Sequence, residues 1–267
     1  MAKQLRKAER VARQRDENEQ FESYDRGQFK ISPFNPLTPK QDILFRSILS
    51  NPMSIAIGPA GTAKSYTAAA AAIHLLSKKV IEAIVITRNP VPTGFTTGFK
   101  PGTMEEKMLP WMAPILGNLR KVCEGPTGSD GFFNYLLKNK KIQMVELETL
   151  KGMNFDNKMV ILEEAQETTM EQLKNLSTRM GEGAYLYMDG DIAQGNERLK
   201  GSRDFDRFVK GIKSMNTKLD ADTITMSEGD SEDWGQIRIP VIEFDKNDCV
   251  RSGQCRWMLE MFEVEDL

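Results

Sequence analysis

The residues whose types and spacing most clearly point to chemistry lie between two apolar segments. Residues 58–65 read Gly-Pro-Ala-Gly-Thr-Ala-Lys-Ser, after the apolar stretch 54–57 and before the alanine-rich stretch 66–76. This is the pattern GxxxxGK[ST], except that Ala63 stands where the second glycine is expected. In such a loop, backbone N–H groups surround an anion at the start of a helix. The pattern therefore predicts a phosphate-binding loop.

The side chains of this loop have distinct expected roles. The Lys64 ammonium supplies positive charge for β- and γ-phosphates, and the Ser65 hydroxyl is suited to bind Mg²⁺. The Ala63 Cβ is expected to crowd the loop near a γ-phosphate, which slows turnover without preventing binding. The alternative, a strand–helix turn with an accidental lysine, does not account for Lys-Ser at a helix start. The predicted phosphate and nucleotide contacts are Gly58, Pro59, Ala60, Gly61, Thr62, Ala63, Lys64, Ser65 and Tyr66.

Acidic and amide side chains follow two further apolar strands. Glu163 and Glu164 come directly after residues 159–162, and Asp191 and Gln194 come shortly after the next such strand. In a P-loop protein that hydrolyses nucleotides, the first acid orients the magnesium waters and the second activates the attacking water. Glu163 is therefore the candidate metal residue and Glu164 the candidate general base. Asp191 and Gln194 are candidates for sensing the γ-phosphate or positioning water. The alternatives are acids at a helix start and a plain Asp-Gly turn.

Composition excludes several other chemistries. One histidine and three scattered cysteines cannot build a zinc finger or a multi-histidine metal site, so any metal is expected to be a hard ion held by oxygen. His74 lies in an apolar run and is expected to be a buried core residue rather than the base of a catalytic triad. The odd number of cysteines, without a CxxC pair, argues against a disulfide framework and for a reducing compartment.

The alternation of strand, helix and strand predicts an α/β fold with a mainly parallel sheet. Thr38 is the expected N-cap of a first helix, with Pro39 at its first position. Polar groups that follow neighbouring parallel strands converge at one crevice, so the acids should meet the phosphate loop there. The other predicted elements are strands over 54–57, 81–87, 159–162, 185–188 and 237–244 and helices over 66–76 and 168–179.

The predicted organisation is a charged arm over 1–35, a P-loop domain over 36–255 and a tail over 256–267. An irregular insertion over about 90–131 is expected to surround a short helix over 103–119, kinked at its two prolines. No stretch reaches the roughly 18 apolar residues of a membrane span, and the N-terminus lacks the apolar region of a signal peptide. A cytoplasmic location and no membrane contact are therefore expected.

The net charge of −2 confines any contact with nucleic acid to local patches. One candidate is the N-terminal arm, which is basic at its start; the alternative is a solvated tail. The other is the glycine-rich segment around Phe95, Phe99, Lys100 and Trp111, whose aromatic rings could stack on single-stranded bases. A lid packed by its own aromatic residues, or a subunit contact, is the alternative there. Trp257 is expected to be a packing residue.

An ordered set of segments resembles the PhoH-like ATPases, the phosphate-starvation-inducible family of bacteria and phages. The order and spacing fit over roughly residues 38–255, and the compactness resembles a phage member. The matching segments are residues 58–65, 86–88, 98–102, 106–107, 161–166, 176–181 and 190–194.

The resemblance implies a RecA-like P-loop NTPase core that binds ATP with Mg²⁺. It also implies an RNA or DNA helicase role and a homo-oligomeric ring, with six subunits expected. Gln41 resembles the glutamine that reads adenine, although an exposed helix glutamine is an equal alternative, and Gln166 would couple the nucleotide to the partner strand. Arg88, Arg179 and Arg251 are arginine-finger candidates, within one chain or across a subunit interface. Each arginine could instead form a surface ion pair.

Two departures from the family pattern put the rate of hydrolysis in question. They are Ala63 in the loop and Glu163, which stands where aspartate is usual. A switch or scaffold that binds ATP but barely hydrolyses it is therefore one rival function. A small-molecule phosphotransferase, with residues 90–130 as a lid over the acceptor, is another. The segments 163–166 and 190–194 together favour the motor-type ATPase.

Overall fold

The described part of the chain is built around one sheet of six strands, all of them parallel. The computed structural model describes residues 16, 19–24, 27, 29–89, 104–125, 128–194, 203–221 and 237–264. The strand order is β3-β2-β4-β5-β1-β6. The predicted α/β class with a mainly parallel sheet is confirmed. The strands are β1 Met53–Ile57, β2 Ala83–Arg88, β3 Ile142–Met144, β4 Lys158–Glu163, β5 Tyr185–Gly190 and β6 Val241–Glu243.

Helices cover both faces of this sheet. The first begins as predicted, since the Thr38 side chain accepts a hydrogen bond from the Gln41 N–H and proline occupies the first turn. None of the described helices is long and apolar enough to cross a membrane. From Pro39 onward, the α-helices of the described residues are α1 Pro39–Ser50, α2 Lys64–Ser77, α3 Met104–Cys123, α4 Gly131–Lys138, α5 Met170–Ser177, α6 Asp204–Asp220 and α7 Gly253–Val264.

Alternate residues of the central strands supply two hydrophobic cores. Met159 and Ile161 of β4 pack in the core beneath α1 to α4, whereas Val160 and Leu162 pack in the core beneath α5 and α6. Successive side chains of a strand point to opposite faces, and a sheet covered on both faces needs apolar residues at every position. The sheet is therefore a rigid support whose carboxyl edge can carry polar side chains.

The region expected to be irregular around a helix contains helix α3. Helix α3 has 20 residues and continues through Pro110 and Pro114. Met112 and Ile115 are almost completely buried, so packing of this helical face on the core offsets the backbone hydrogen bonds that proline cannot make. The helix expected over 103–119 is therefore present, and it extends to Cys123. Residues 90–103 lie outside the described part of the chain.

Three further expectations about the periphery were wrong. The last strand has only three residues, because Pro240 cannot donate to the ladder and Ile239 is bonded to the Asn216 side chain instead. His74 is half-buried in the last turn of α2, edge-on to Phe45 at 5.9 Å between ring centroids, rather than in the core. Trp257, which was expected to be a packing residue, is 64% exposed. It lies on helix α7, which the structure describes in full, and none of the residues of this helix is buried.

Candidate functional site

The phosphate-loop segment joins β1 to α2 at the carboxyl edge of the sheet. Gly58 has φ +133°, and a Cβ there would lie 2.2 Å from the Phe244 carbonyl oxygen. Gly61 has φ +83°. Ala63 is the residue before α2 and has φ +63° and ψ +27°, a left-handed conformation that favours glycine. The departure from the motif therefore introduces backbone strain in addition to the bulk of its Cβ.

We expect Ala63→Gly to raise the free energy of unfolding by about 0.5–1 kcal/mol. Relief of the left-handed conformation stabilises the folded state by about 1–2 kcal/mol. The greater conformational freedom of glycine in the unfolded chain offsets about 0.4–1 kcal/mol of this. Urea denaturation of both chains measures the difference. Ala69→Gly in the middle of α2 is the matched control and should destabilise the protein. A lower free energy of unfolding for Ala63→Gly would contradict the strain argument.

The Lys64 ammonium is held inside the loop. Its Nζ donates hydrogen bonds to the carbonyl oxygens of Gly58 at 2.7 Å and Pro59 at 2.9 Å, and it lies 3.4 Å from the Thr62 Oγ1. A phosphate placed in the loop would compete with these carbonyl groups for the hydrogen bonds of the Lys64 ammonium. The lysine is thus positioned where the sequence predicts it, at the centre of the loop.

Behind the loop, the Ser65 hydroxyl meets a buried carboxylate. Its Oγ donates to Asp189 Oδ2 at 3.0 Å, and the Tyr187 hydroxyl donates to the same oxygen at 3.2 Å. The backbone N–H of Glu164 donates to the other oxygen of Asp189 at 3.4 Å. Burial raises the pKa of Asp189 to about 6, and the Lys64 charge opposes this rise. Asp189 therefore links the loop to the acidic segment after β4.

Glu163 lies next to this group at the end of β4 and is only 6% exposed. Its Oε1 is buried and has no hydrogen-bond partner among the described residues. Burial, and next the charge of Asp189, raise the pKa of Glu163 well above its ordinary value. The carboxyl groups of Glu163 and Asp189 are thus buried next to each other, and the positive charge around them does not offset the cost of ionising both.

Asp189 is the site residue that the sequence reasoning missed. In the segment Asp189-Gly190-Asp191, the Asp-Gly pair is typical of a turn, so only Asp191 was predicted to be a site residue. The available signal was an acid within the otherwise buried strand β5, where a carboxylate is costly unless it is used. Asp191 does lie in the site: its Oδ1 accepts from the Ala193 N–H at 3.1 Å, and burial raises its pKa.

Glu164 and Gln166 connect the ends of β4 and β5. Glu164 has φ +51°, which turns the chain sharply after the strand. Gln166 Nε2 donates to Glu164 Oε2 at 2.7 Å, and Gln166 Oε1 accepts from the Asp191 N–H at 3.1 Å. Gln166 is buried and is not among the residues that line the cavity described next; its side chain connects Glu164 with the backbone of Asp191.

These groups open into one cavity of about 670 Å³, a size suited to a small-molecule ligand. Gln41 lines it and is buried, with its Nε2 donating to the Thr62 carbonyl oxygen at 3.3 Å. The alternative of an exposed helix glutamine was therefore wrong. Residues of the loop, of the strand ends and of α3 complete the lining, among them Ala60, Gly61, Thr62, Ala63, Lys64, Ser65, Tyr66, Arg88, Asn118, Lys121, Glu163, Glu164, Asp189, Asp191 and Arg251.

Two of the three candidate arginines line this cavity. Arg88 ends β2, lies 3.5 Å from a Glu167 carboxylate oxygen and stands over the Trp111 ring at 5.9 Å. Arg251 is exposed beside the cavity. Arg179 lies elsewhere: its carbonyl accepts from the N–H of Phe155, which precedes β4. Arg179 therefore lies near the amino-terminal ends of the strands, whereas the cavity lies at their carboxyl ends. A strand of six residues spans about 20 Å, so Arg179 cannot reach the cavity of its own chain.

Several predicted contacts lie outside the described residues. They include most of the N-terminal arm, the side chain of Gln194, and Phe95, Phe99 and Lys100 of the candidate nucleic-acid segment. Trp111, the described aromatic residue of that set, is half-buried beside Arg88.

Comparisons with known proteins identify relatives of this chain. It is 31% identical to the PhoH-like protein of Bacillus subtilis over 81% of this chain and 60% of the relative. It is 34% identical to the PhoH-like protein of Mycobacterium tuberculosis over 60% of this chain and 44% of the relative. Protein PhoH of Escherichia coli K12 is 28% identical over 81% of this chain and 54% of that protein. The chain thus spans about half the length of the curated relatives it matches.

Solved structures with a partly similar arrangement include the large terminase of a thermophilic bacteriophage, with a TM-score of 0.42 and 9% identity over 85% of this chain and 50% of that one. The Pif1 helicase of Candida albicans has a TM-score of 0.37 and 14% identity over 79% of this chain and 40% of that one.

The family model described as PhoH-like protein matches residues 33–263. This range contains the whole described sheet, the loop between β1 and α2, and every side chain of the cavity. The fold is a single parallel sheet of six strands flanked by helices, with the predicted loop between β1 and α2. This chain belongs to the PhoH-like protein family.

Proposed function

We propose that the chain binds ATP with Mg²⁺, hydrolyses it, and couples hydrolysis to contact with single-stranded nucleic acid. The observation that carries this proposal is the convergence of Lys64 and Ser65 with Glu163, Glu164 and Asp189 in one cavity. Phosphoryl transfer needs positive charge and backbone N–H groups at the phosphates, oxygen ligands for a metal, and a carboxylate for the attacking water. The cavity contains each of these.

The side chains beside the loop suit Mg²⁺. The Ser65 hydroxyl, Asp189 and Glu163 offer only oxygen donors, which a hard cation prefers. The unpartnered Oε1 of Glu163 and the raised pKa values of both acids indicate a site short of positive charge. A divalent cation would offset that shortage and, when bound, would neutralise charge on the phosphates. We assign Ser65, Glu163 and Asp189 to hold it.

Glu164 is the proposed general base. Its carboxylate lines the cavity and is held by Gln166, which in turn is fixed by the Asp191 N–H. A base held in this way can accept a proton from a water aligned with the γ-phosphate. Lys64 supplies charge on the phosphate side, and Arg88 and Arg251 lie on other walls of the cavity. Gln41, bonded to the loop backbone, would contact the base of the nucleotide.

The test is steady-state ATP turnover of the full chain, alone and with single-stranded RNA or DNA, beside Lys64→Ala. We expect nucleic acid to stimulate turnover several-fold, because a motor-type ATPase couples its two ligands. Lys64→Ala should lose tenfold or more in ATP affinity, which corresponds to about 1.4 kcal/mol. Exposed Lys174→Ala on α5 is the matched control.

The outcomes separate the rival functions. ATP binding without turnover would favour the nucleotide-binding switch, and turnover indifferent to both nucleic acids would contradict the coupling. Normal binding and hydrolysis by Lys64→Ala would contradict the assignment of the phosphate site itself.

A further inference from the structure

Two cysteine thiols lie side by side against the phosphate loop. A Cβ built on Gly61 would be 3.0 Å from the Cys249 Sγ and 3.1 Å from the Cys255 Sγ, so both sulfur atoms face the same glycine. Burial raises the pKa of Cys255, and the neighbouring Cys249 side chain raises it further. Both residues are half-buried, which leaves them accessible to a small reagent. The third cysteine, Cys123, is buried in α3 and provides an internal comparison.

The segment between these cysteines is joined to the loop. The N–H of Val250 donates to the Gly61 carbonyl oxygen at 2.9 Å, and a Cβ on Gly61 would lie 3.2 Å from that of Arg251. Val250 and Arg251 both line the cavity. A covalent change at the ends of segment 249–255 is therefore transmitted to a residue whose backbone N–H belongs to the phosphate loop.

We propose that Cys249 and Cys255 are an oxidation site, at which a low-molecular-weight disulfide converts the two thiols into an intramolecular disulfide that weakens nucleotide binding. The effect on nucleotide rests on the proposed function, whereas formation of the disulfide does not. In a reducing compartment such a bond is transient and regulatory rather than structural.

The exchange balances in two steps. One protein thiol loses its proton and attacks a sulfur of the small disulfide, whose S–S bond breaks and releases one small thiol carrying a proton. The other protein thiol loses its proton and attacks the protein sulfur of this mixed disulfide, which forms the Sγ–Sγ bond and releases the second small thiol. Two electrons pass from the protein sulfurs to the small disulfide, which leaves as two thiols.

The expected loss of affinity follows from the loop geometry. A disulfide draws the sulfur atoms together to about 2 Å and fixes the segment that carries Val250. Lys64 is bonded to the carbonyl groups of Gly58 and Pro59, so an incoming phosphate must redirect it and adjust the loop backbone. A fixed segment bonded to Gly61 opposes that adjustment. By linkage, bound nucleotide should disfavour the disulfide by the same factor.

Oxidised glutathione is the probe, applied to the full chain at mildly alkaline pH. Burial and the contact with Cys249 raise the pKa of Cys255, so its thiolate forms more readily as the pH rises. Peptide mass spectrometry maps the disulfide, and titration with a fluorescent ATP analogue measures Kd. We expect a disulfide between Cys249 and Cys255, a Kd raised tenfold or more, and recovery with dithiothreitol.

Three variants make the result specific. Cys249→Ser and Cys255→Ser should each bind nucleotide normally and lose the response, whereas Cys123→Ser should keep it. Absence of the intramolecular disulfide in the wild-type chain overturns the proposal, and so does a disulfide that leaves Kd unchanged or lowers it. A reduced chain that fails to bind the analogue overturns the proposed function. A reduced chain that binds but does not respond overturns this inference alone.

Discussion

Glu164→Gln should lower ATP turnover by about 10²- to 10⁴-fold, the usual contribution of a positioned general base. Glutamine has nearly the same shape, and its carbonyl oxygen can still accept the hydrogen bond that Gln166 Nε2 donates to Glu164 at 2.7 Å. The amide cannot take a proton from water at neutral pH. ATP affinity should therefore stay within about threefold of the wild-type value, while the chemical step is lost.

Single-turnover hydrolysis and nucleotide titration measure the two quantities separately. Glu171→Gln is the matched control, because Glu171 is an exposed acid on α5 with a surface ion pair to Lys151. Its turnover should equal that of the wild type. If Glu164→Gln keeps more than about a fifth of wild-type turnover, this carboxylate is not the base. If it loses nucleotide affinity instead, Glu164 acts in binding.

The parts of the site that the sequence predicts well are those fixed by local chain order. Lys64 and Ser65 follow a strand and begin a helix, and that order alone places them at a helix N-terminus. Glu163 and Glu164 are likewise placed by the end of β4. For these residues, the apolar strand before the polar group determines the sheet edge on which it lies.

What the sequence could not predict depends on contacts between distant segments. The role of Asp189 arises because β5 lies beside β1, which brings its carboxylate to Ser65, 124 residues away in the chain. Arg179 matches the family pattern, yet the chain carries it to the opposite sheet edge before β5 begins. Helix α3 extends past its predicted end at residue 119, because the burial of Val122 and Cys123 that stabilises its last turn depends on contacts with distant segments.

Asp189→Asn should reduce the gain in nucleotide affinity that Mg²⁺ provides by about 10- to 100-fold, the usual cost of losing a group that supports a metal site. Asparagine keeps the shape of the side chain but removes its charge, and its single oxygen can accept from the Ser65 Oγ or from the Glu164 N–H, but not from both. Removing that charge also removes one cause of the raised pKa of Glu163. Affinity for nucleotide without metal should be unchanged or slightly higher, because a negative charge near the phosphates is gone.

The measurement is Kd for the ATP analogue with Mg²⁺ and with a chelator, together with direct Mn²⁺ binding in the presence of nucleotide. Tyr187→Phe is the matched control, since it removes the other donor to Asp189 Oδ2 and leaves the carboxylate in place. It should change the metal dependence by less than about threefold, because Asp189 keeps its charge and the Tyr187 hydroxyl is not an assigned metal ligand. An equal effect of the two variants would show that packing, not charge, is responsible. An unchanged metal dependence in Asp189→Asn would leave Ser65 and Glu163 as the metal residues and remove Asp189 from the site.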